Sequence, residues 1–130
     1  MDEPHRRNRT ARGREGEAEA ARSLERDGWK VLSRNYRDGP RELDLVVTRH
    51  GILAFVEVRT RASGKWGDPL ETLSVWKRRD VERAARAWLA RHPWRWTGVR
   101  FDAVAILWPA EGEEPVVRHV PDAWRPGEVG

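Results

Sequence analysis

The sequence predicts an α/β fold with a mixed β-sheet of about five strands flanked by two main helices, in the order αβββαββ. Residues 13–28 and 74–92 carry apolar side chains three or four positions apart, as on one face of a helix. Short runs rich in Val, Ile and Leu, bounded by turn-forming residues, predict the strands. The second helix lies between the third and fourth strands. Such a helix permits a parallel crossover, and the sheet is therefore expected to be mixed.

The N-terminal half contains one predicted helix and three predicted strands. "GREGEAEAARSLERDG" predicts a helix from Gly13 that ends at Gly28, a residue suited to the left-handed cap position. "WKVLSRNY", "ELDLVVTR" and "ILAFVEVRT" follow as strands. Residues 1–12 lack the apolar segment of a secretory signal and predict a basic, mobile N-terminal arm.

The C-terminal half contains the second helix and the last two strands. "RASGKWGDPLETL" predicts a loop, and Ser74 is a good N-cap for a helix that runs to about His92, just before Pro93. "VRFDAVAILW" and "PVVRHV" predict the fourth and fifth strands. A single domain is thus expected over residues 13–120, followed by an irregular tail at 121–130.

Composition limits the classes of function. The formal net charge is +4 and the sequence pI about 10.3, which suits a polyanionic partner such as nucleic acid but is also common for solubility. With no cysteine, disulfides and thiolate metal sites are excluded, and a reducing cytoplasm is the expected location. No apolar run approaches the ~20 residues of a membrane span, so no membrane partner is expected.

The second and third strands are expected to form a tight hairpin. A two-residue turn at His50-Gly51 is predicted because glycine tolerates the positive φ of primed turns. That turn pairs Arg49 with Ile52 and fixes every other pair. A loop of odd length would instead place the polar residues of the two strands on opposite faces.

The predicted register opposes Asp44 to Glu57 and Glu42 to Arg59, all on one face of the sheet. The other face would hold the apolar residues Leu43, Leu45, Val47, Ile52, Ala54, Val56 and Val58. Opposed acids destabilise a hairpin unless a cation lies between them, and Mg²⁺ or Mn²⁺ prefers oxygen ligands. The alternative is a solvated face on which the acids pair with nearby arginines.

Two helical residues are expected to point toward these acids. Glu17 shares a helix face with Ala20, Ala21 and Leu24, the face predicted to pack on the sheet. Lys77 aligns with the packing face of the second helix, in a first turn where a cation opposes the helix dipole. The alternatives are an acid that favours the first helical turn and a lysine that extends from a helix end into solvent.

The ordered stretches "GREGEAEAA", "SRNYR", "ELDLVV", "FVEVRTR", Lys77 with its helix, and "RFDAVAI" resemble the YraN family of small bacterial proteins. That family belongs to the PD-(D/E)XK nuclease-like superfamily and is distantly similar to archaeal Holliday-junction resolvases. The matching stretches run from Gly13 to about Val120. The resemblance implies a restriction-endonuclease-like core and a divalent-metal-dependent endonuclease that acts on DNA, including branched or structured DNA. A homodimer is implied only through the similarity to the resolvases.

The resemblance also implies roles for individual residues. The metal ligands would be Glu17, Asp44, Glu57 and the backbone carbonyl of Val58, with Mg²⁺ or Mn²⁺ as the cofactor. Asp44, Glu57 and Arg59 would be catalytic. Glu42 matches the glutamate of a G-E-I-D-L-like family segment in which Arg41 replaces the glycine, and Glu42 and Asp102 are supporting residues without an assigned role. Lys77 matches a position that can contact phosphate, and further nucleic-acid contacts are expected from Arg78, Arg79, Lys65 and Trp66.

Arg59 is the departure from the superfamily pattern, because it replaces the lysine of the E-x-K motif. Lysine there can orient or deprotonate the attacking water, whereas arginine supplies charge and cannot act as a base at physiological pH. Two further hypotheses follow. One is a nucleic-acid-binding protein with little or no turnover. The other is an interaction protein that uses some of its eight tryptophans as a partner surface.

Overall fold

The structure, a computed structural model, describes residues 3–62, 73–108 and 112–127, with side chains from residue 13 onward apart from that of residue 62. It contains two helices and five strands, which are α1 (Glu3–Arg26), β1 (Lys30–Asp38), β2 (Arg41–Arg49), β3 (Ile52–Ala62), α2 (Val75–Arg91), β4 (Gly98–Trp108) and β5 (Val116–Trp124). The predicted α/β fold and the order αβββαββ are confirmed. In the part of the chain that the structure describes, neither helix is long and apolar enough to cross a membrane.

The five strands form one mixed sheet in the order β1-β2-β3-β4-β5. Three of the four neighbouring pairs are antiparallel, and β3 with β4 is parallel. Helix α2 makes the crossover that a parallel pair requires. It begins after Ser74, whose side chain accepts a hydrogen bond from the Lys77 backbone N–H, as expected for an N-cap.

Helix α2 covers one face of the sheet. Its Val81, Ala84 and Trp88 pack with Phe55 and other residues of the central strands. Trp88 lies edge-on to Phe55, and its indole N–H donates to Ser33 Oγ at 2.9 Å. This buried polar hydrogen bond links α2 to an edge strand, so the helix is held to the sheet in one orientation.

Helix α1 covers the opposite face. Its buried residues Ala20, Ala21 and Leu24 pack with the apolar side chains Leu45, Val47, Ala54, Val56, Val104 and Ile106. A side chain at Gly16 would overlap the hydroxyl oxygen of Thr60 on β3, so glycine is required for this close helix–strand contact. The contact places the neighbouring Glu17 against the sheet.

Two element boundaries differ from the predictions. Helix α1 begins at Glu3, ten residues before the predicted start at Gly13, because residues 3–12 include helix-forming arginines and alanine but no apolar stripe that would reveal a helix. Strand β5 continues to Trp124 instead of ending at Val120. Trp124 is buried and stacks on Phe101, which extends the sheet into the predicted tail.

The apolar pattern of β2 reverses at Asp44. Leu45 and Val47 face α1, whereas Leu43 packs in the cluster under α2, so the prediction that the three share one face is wrong for Leu43. On the neighbouring strand β1, Asn35 has a φ of 51°. A residue in this left-handed conformation interrupts the strict alternation of side chains along a strand. The prediction depended on that alternation.

Candidate functional site

The β2–β3 hairpin has the predicted turn, and the predicted register is confirmed from Arg49–Ile52 to Leu45–Val56. The prediction that Glu42 and Glu57 share one face of the sheet is wrong, because Glu42 lies by Glu17 of α1 and Glu57 by Lys77 of α2. His50 and Gly51 both have positive φ, and Arg49 pairs with Ile52. The paired residues run to Leu45 and Val56. Beyond them, the Asp44 carboxylate accepts a hydrogen bond from the Val58 backbone N–H at 2.8 Å. Asp44 therefore bridges the two strands, close to Glu57.

Three acids meet on the α1 side of this bridge. One carboxylate oxygen each from Glu17, Glu42 and Asp44 lies within 4.8 Å of the other two. Glu17 and Glu42 also line an open cleft of about 430 Å³, together with Gly13, Arg14, Asn35 and Arg37. Arg37 pairs with Glu42 at 3.5 Å, with its side chain 77% exposed. The positive charge of Arg14 also acts on Glu17, and those of Lys77 and Arg59 act on Asp44.

Glu57 lies against α2 and contacts Lys77. The glutamate is 2% exposed, and Lys77 Nζ lies 3.4 Å from its Oε1. The second oxygen, Oε2, is buried and has no hydrogen-bond partner among the described residues. Lys77 thus points toward an acid of the hairpin, as predicted, although the first turn of a helix disfavours cations.

The pKa values of these carboxyls are displaced upward. Burial, followed by the charge of Asp44, raises the pKa of Glu17 to about 7, although a hydrogen bond from Asn35 opposes the rise. Burial also raises the pKa of Asp44, even though the Val58 N–H and the charge of Lys77 favour its ionised form. The pKa of Glu57 is raised by burial and by the charge of Asp44. Burial is the largest cause in each case, and the neighbouring positive charges and hydrogen bonds offset it only in part.

The donors present fit a hard divalent cation. Glu17, Glu42 and Asp44 offer only carboxylate oxygens, which Mg²⁺ and Mn²⁺ prefer, and the buried Glu57 Oε2 lacks a partner in the described structure. The structure groups Glu42 with Glu17 and Asp44, whereas the predicted ligand set had Glu57 in that place. Glu57 remains close to this group of acids, because the charges of Asp44 and Lys77 both act on its pKa.

The remaining predicted contact residues lie around this site or outside the described chain. Val58 is at the site through its N–H bond to Asp44. The positive charge of Arg59 lowers the pKa values of Asp44 and Glu57. Arg78 is partly buried, and Arg79 is exposed with its guanidinium 5.5 Å from the Trp76 ring centroid. The predicted contacts Lys65 and Trp66 lie outside the described residues.

Asp102 belongs to a different cluster, between β4 and β5. Its carboxylate accepts two hydrogen bonds from Arg100, at 2.9 and 3.1 Å, and one from the Asp122 backbone N–H at 3.0 Å. His119 Nε2 lies 2.7 Å from its Oδ2. Burial alone would raise the pKa of Asp102, but these hydrogen bonds outweigh burial and hold it below 3.8. The contacts of Asp102 are consistent with a structural role.

Sequence reasoning did not single out Asn35, Arg14 or Arg37 at the cleft. The polar run "SRNYR" interrupts strand alternation, and asparagine tolerates positive φ better than most residues. These two signals together could have identified Asn35 as a break in β1. No comparable pattern marks Arg14 and Arg37 in a chain so rich in arginine.

Comparison with known proteins identifies the family. Residues 16–106 match the model of the uncharacterised protein family UPF0102. A UPF0102 protein of Anaeromyxobacter dehalogenans is 45% identical over 123 residues, which cover 92% of this chain and 90% of that protein. Another, of Myxococcus xanthus, is 40% identical over 115 residues, which cover 88% and 90%. This chain therefore belongs to the UPF0102 family, the YraN family that its motifs resemble.

Proposed function

We propose that this protein is a divalent-metal-dependent endonuclease that hydrolyses phosphodiester bonds in DNA, including branched or structured DNA. The observation that carries the proposal is the meeting of Glu17, Glu42 and Asp44 within 4.8 Å of one another. A structural role would place cations between these acids. Instead, their surroundings raise the pKa values of Glu17 and Asp44. Perturbed carboxyls in an open cleft are typical of functional sites.

The acids on the α1 side are assigned to metal binding. Glu17, Glu42 and Asp44 would hold Mg²⁺ or Mn²⁺, with the Val58 carbonyl as a further oxygen donor. The ion would lower the pKa of water and neutralise charge on the phosphate. The Val58 N–H keeps the Asp44 carboxylate in one orientation through its 2.8 Å hydrogen bond.

The residues on the α2 side are assigned to proton transfer and charge. Glu57 Oε2 can take up a proton, since its raised pKa makes it a stronger base than an ordinary carboxylate. Lys77 keeps Glu57 in place at 3.4 Å and brings positive charge to the position of a phosphate. Arg59 contributes charge alone.

A second candidate is a nucleic-acid-binding protein on the same fold that has little or no turnover. The observation that favours it is Arg59, because a lysine at this position can serve as a base and an arginine cannot. Both candidates predict binding to nucleic acid, but only the first predicts cleavage of DNA. A location in the cytoplasm is part of both proposals.

A cleavage assay distinguishes them. Linear, nicked and four-way DNA would be incubated with Mg²⁺ or Mn²⁺ and the wild type, Asp44→Ala, Glu57→Ala or Arg59→Lys. The nuclease proposal expects cutting by the wild type and a loss of about a hundredfold or more in each alanine variant. Glu25→Gln, which changes an exposed acid of α1, is the control and should cut like the wild type.

Two outcomes would contradict the nuclease proposal. If the wild type and Arg59→Lys bind DNA but neither cuts it with either metal, the protein is the binding protein of the second candidate. If metal affinity is unchanged in both Asp44→Ala and Glu57→Ala, these residues form no metal site.

A further inference from the structure

The solvent-exposed face of α2 carries an aromatic residue followed by three arginines. This α2 stripe consists of Trp76, Arg79, Arg83 and Arg86, all exposed. Their spacing of three, four and three residues places them on one side of the helix, opposite the buried residues Val81, Ala84, Ala85 and Trp88. With a rise of 1.5 Å per residue, the α2 stripe is about 15 Å long.

Helix α2 accounts for the protein's excess positive charge. Its 17 residues include six basic and two acidic side chains, a net charge of +4 that equals the formal net charge of the chain. The two acids have contacts away from the α2 stripe. Asp80 lies 3.6 Å from Arg41, and Glu82 accepts a hydrogen bond from the Trp124 indole N–H at 3.0 Å. The α2 stripe therefore presents concentrated positive charge to solvent.

Neither burial nor the helix dipole explains the start of the α2 stripe. Trp76 is 75% exposed, so it gains little from burial. The first turn of α2 has no acid and includes cations, which oppose the dipole at this end. Arg79 stands over the Trp76 ring at 5.5 Å and leaves most of the tryptophan surface exposed. An exposed aromatic ring beside arginines suits a stacked nucleobase with neighbouring phosphates.

The α2 stripe begins one residue before Lys77, the α2 residue that contacts Glu57. Lys77 Nζ lies 3.4 Å from Glu57. Consecutive residues of a helix diverge by about 100°, so Trp76 faces solvent while Lys77 faces Glu57. A strand bound along the stripe would therefore lie on the α2 side of the sheet, beside the residue that contacts Glu57.

We propose that the α2 stripe binds a single-stranded segment of nucleic acid, with an unpaired base stacked on Trp76 and phosphates contacted by Arg79, Arg83 and Arg86. An unpaired base is required because a base inside a duplex has no free face to stack on an aromatic ring. The reaction at the adjacent acids rests on the proposed function, but the binding needs no metal. The substrate would therefore be DNA with a single-stranded segment at or beside a junction.

Binding without metal tests this proposal. Fluorescence anisotropy in EDTA would measure the affinity of each variant for a labelled 15-nucleotide single strand and for the same strand with abasic sites. Trp76→Ala should weaken binding to the normal strand about tenfold and leave binding to the abasic strand nearly unchanged. Each of Arg79→Ala, Arg83→Ala and Arg86→Ala should reduce the slope of log K against log salt by about 0.7 on both strands.

Trp94→Ala is the matched control, because Trp94 is 74% exposed and lies beyond the far end of α2, about 20 Å from Trp76. It should bind like the wild type. Equal affinity of Trp76→Ala and the wild type for the normal strand would overturn the stacking proposal, as would an equal loss on both strands. Failure of the wild type to bind either strand at low salt would overturn this proposal, whereas the proposed function would fall only if the wild type also fails to cut DNA with Mg²⁺ or Mn²⁺.

Discussion

Two sites in the described part of the chain place buried carboxylates in opposite electrostatic surroundings. Asp102 is 0% exposed, yet its pKa is lowered. Hydrogen bonds with His119, Arg100 and the Asp122 N–H stabilise its ionised carboxylate. Around Asp44 the acids are near one another and their pKa values are raised. The first cluster stabilises the fold, whereas the second holds unfavourable charge that a bound cation would relieve. Burial alone therefore does not distinguish a structural acid from a functional one.

The partners of Asp102 also contact the buried Trp29. Trp29, 4% exposed, has the guanidinium of Arg100 at 5.1 Å and that of Arg49 at 4.7 Å from its ring centroid, and His119 lies edge-on to it. These contacts link β4 and β5 to the connection between α1 and β1. Around Asp44, by contrast, the pKa values are lowered only in part, by Lys77, Arg59 and the Val58 N–H, and for Glu17 by Asn35 and Arg14.

The largest effect is expected from Asp102→Asn. Removing the charge leaves Arg100 and His119 without their buried partner, and the free energy of unfolding should fall by about 3 kcal/mol at pH 7. Urea denaturation measures this. Because the folded pKa of Asp102 is lowered, the wild-type advantage is present above pH 3.8 and should be lost as the pH falls through the folded pKa. A loss of stability below about 1 kcal/mol at pH 7 would mean that the contacts of Asp102 contribute little. It would remove the contrast with the acids around Asp44.

Lys77→Met should have the next largest effect on the metal-free protein. Glu57 would then be buried without its cation, which should cost about 1.5 kcal/mol of stability at pH 9.5, above its folded pKa of about 8. At pH 5 Glu57 is protonated in both proteins because burial raises its pKa, and the difference should nearly vanish. Denaturation at the two pH values measures this. An equal loss at both would mean that Lys77 stabilises the fold through packing.

Glu17→Gln should stabilise the metal-free protein. The folded pKa of Glu17 is about 7 against an ordinary 4.5, so folding binds a proton and wild-type stability falls as the pH rises through this window. The variant should gain about 1 kcal/mol at pH 8, since solvent screens a partly buried carboxyl. No gain should remain at pH 4. A destabilised variant at pH 8 would show that Glu17 is satisfied in the way that Asp102 is.

Arg37→Ala should have the smallest effect. The pair with Glu42 is 3.5 Å long and the arginine is 77% exposed, so its loss should change stability by less than about 0.5 kcal/mol. Thermal unfolding at low and high salt would measure the change. A loss above about 1 kcal/mol would indicate that rim arginines compensate the acids, which would weaken the case for a metal.

The sequence predicted the parts of this site that follow from local rules. The His50-Gly51 turn fixed the register of β2 and β3, and helical spacing directed Glu17 and Lys77 toward the sheet. The reversal at Asp44 was not predicted, because a period of two was assumed along the whole of β2, whereas Leu43 and Leu45 pack on opposite faces. Strand β5 was predicted too short because the stacking of Trp124 on Phe101, a long-range contact, extends it. The placement of Glu42 beside Glu17 likewise depends on tertiary packing.

Calorimetric titration of Mn²⁺ into the metal-free protein tests the central claim most directly, with Asp44→Asn as the variant and Glu25→Gln as the control. Metal binding displaces protons from acids with raised pKa values, so wild-type affinity should increase from pH 6 to pH 8. We expect the wild type and Glu25→Gln to bind alike and Asp44→Asn to lose about a hundredfold or more in affinity, as for loss of a ligand. Unchanged affinity in Asp44→Asn would contradict the assignment of the acids around Asp44 as a metal site.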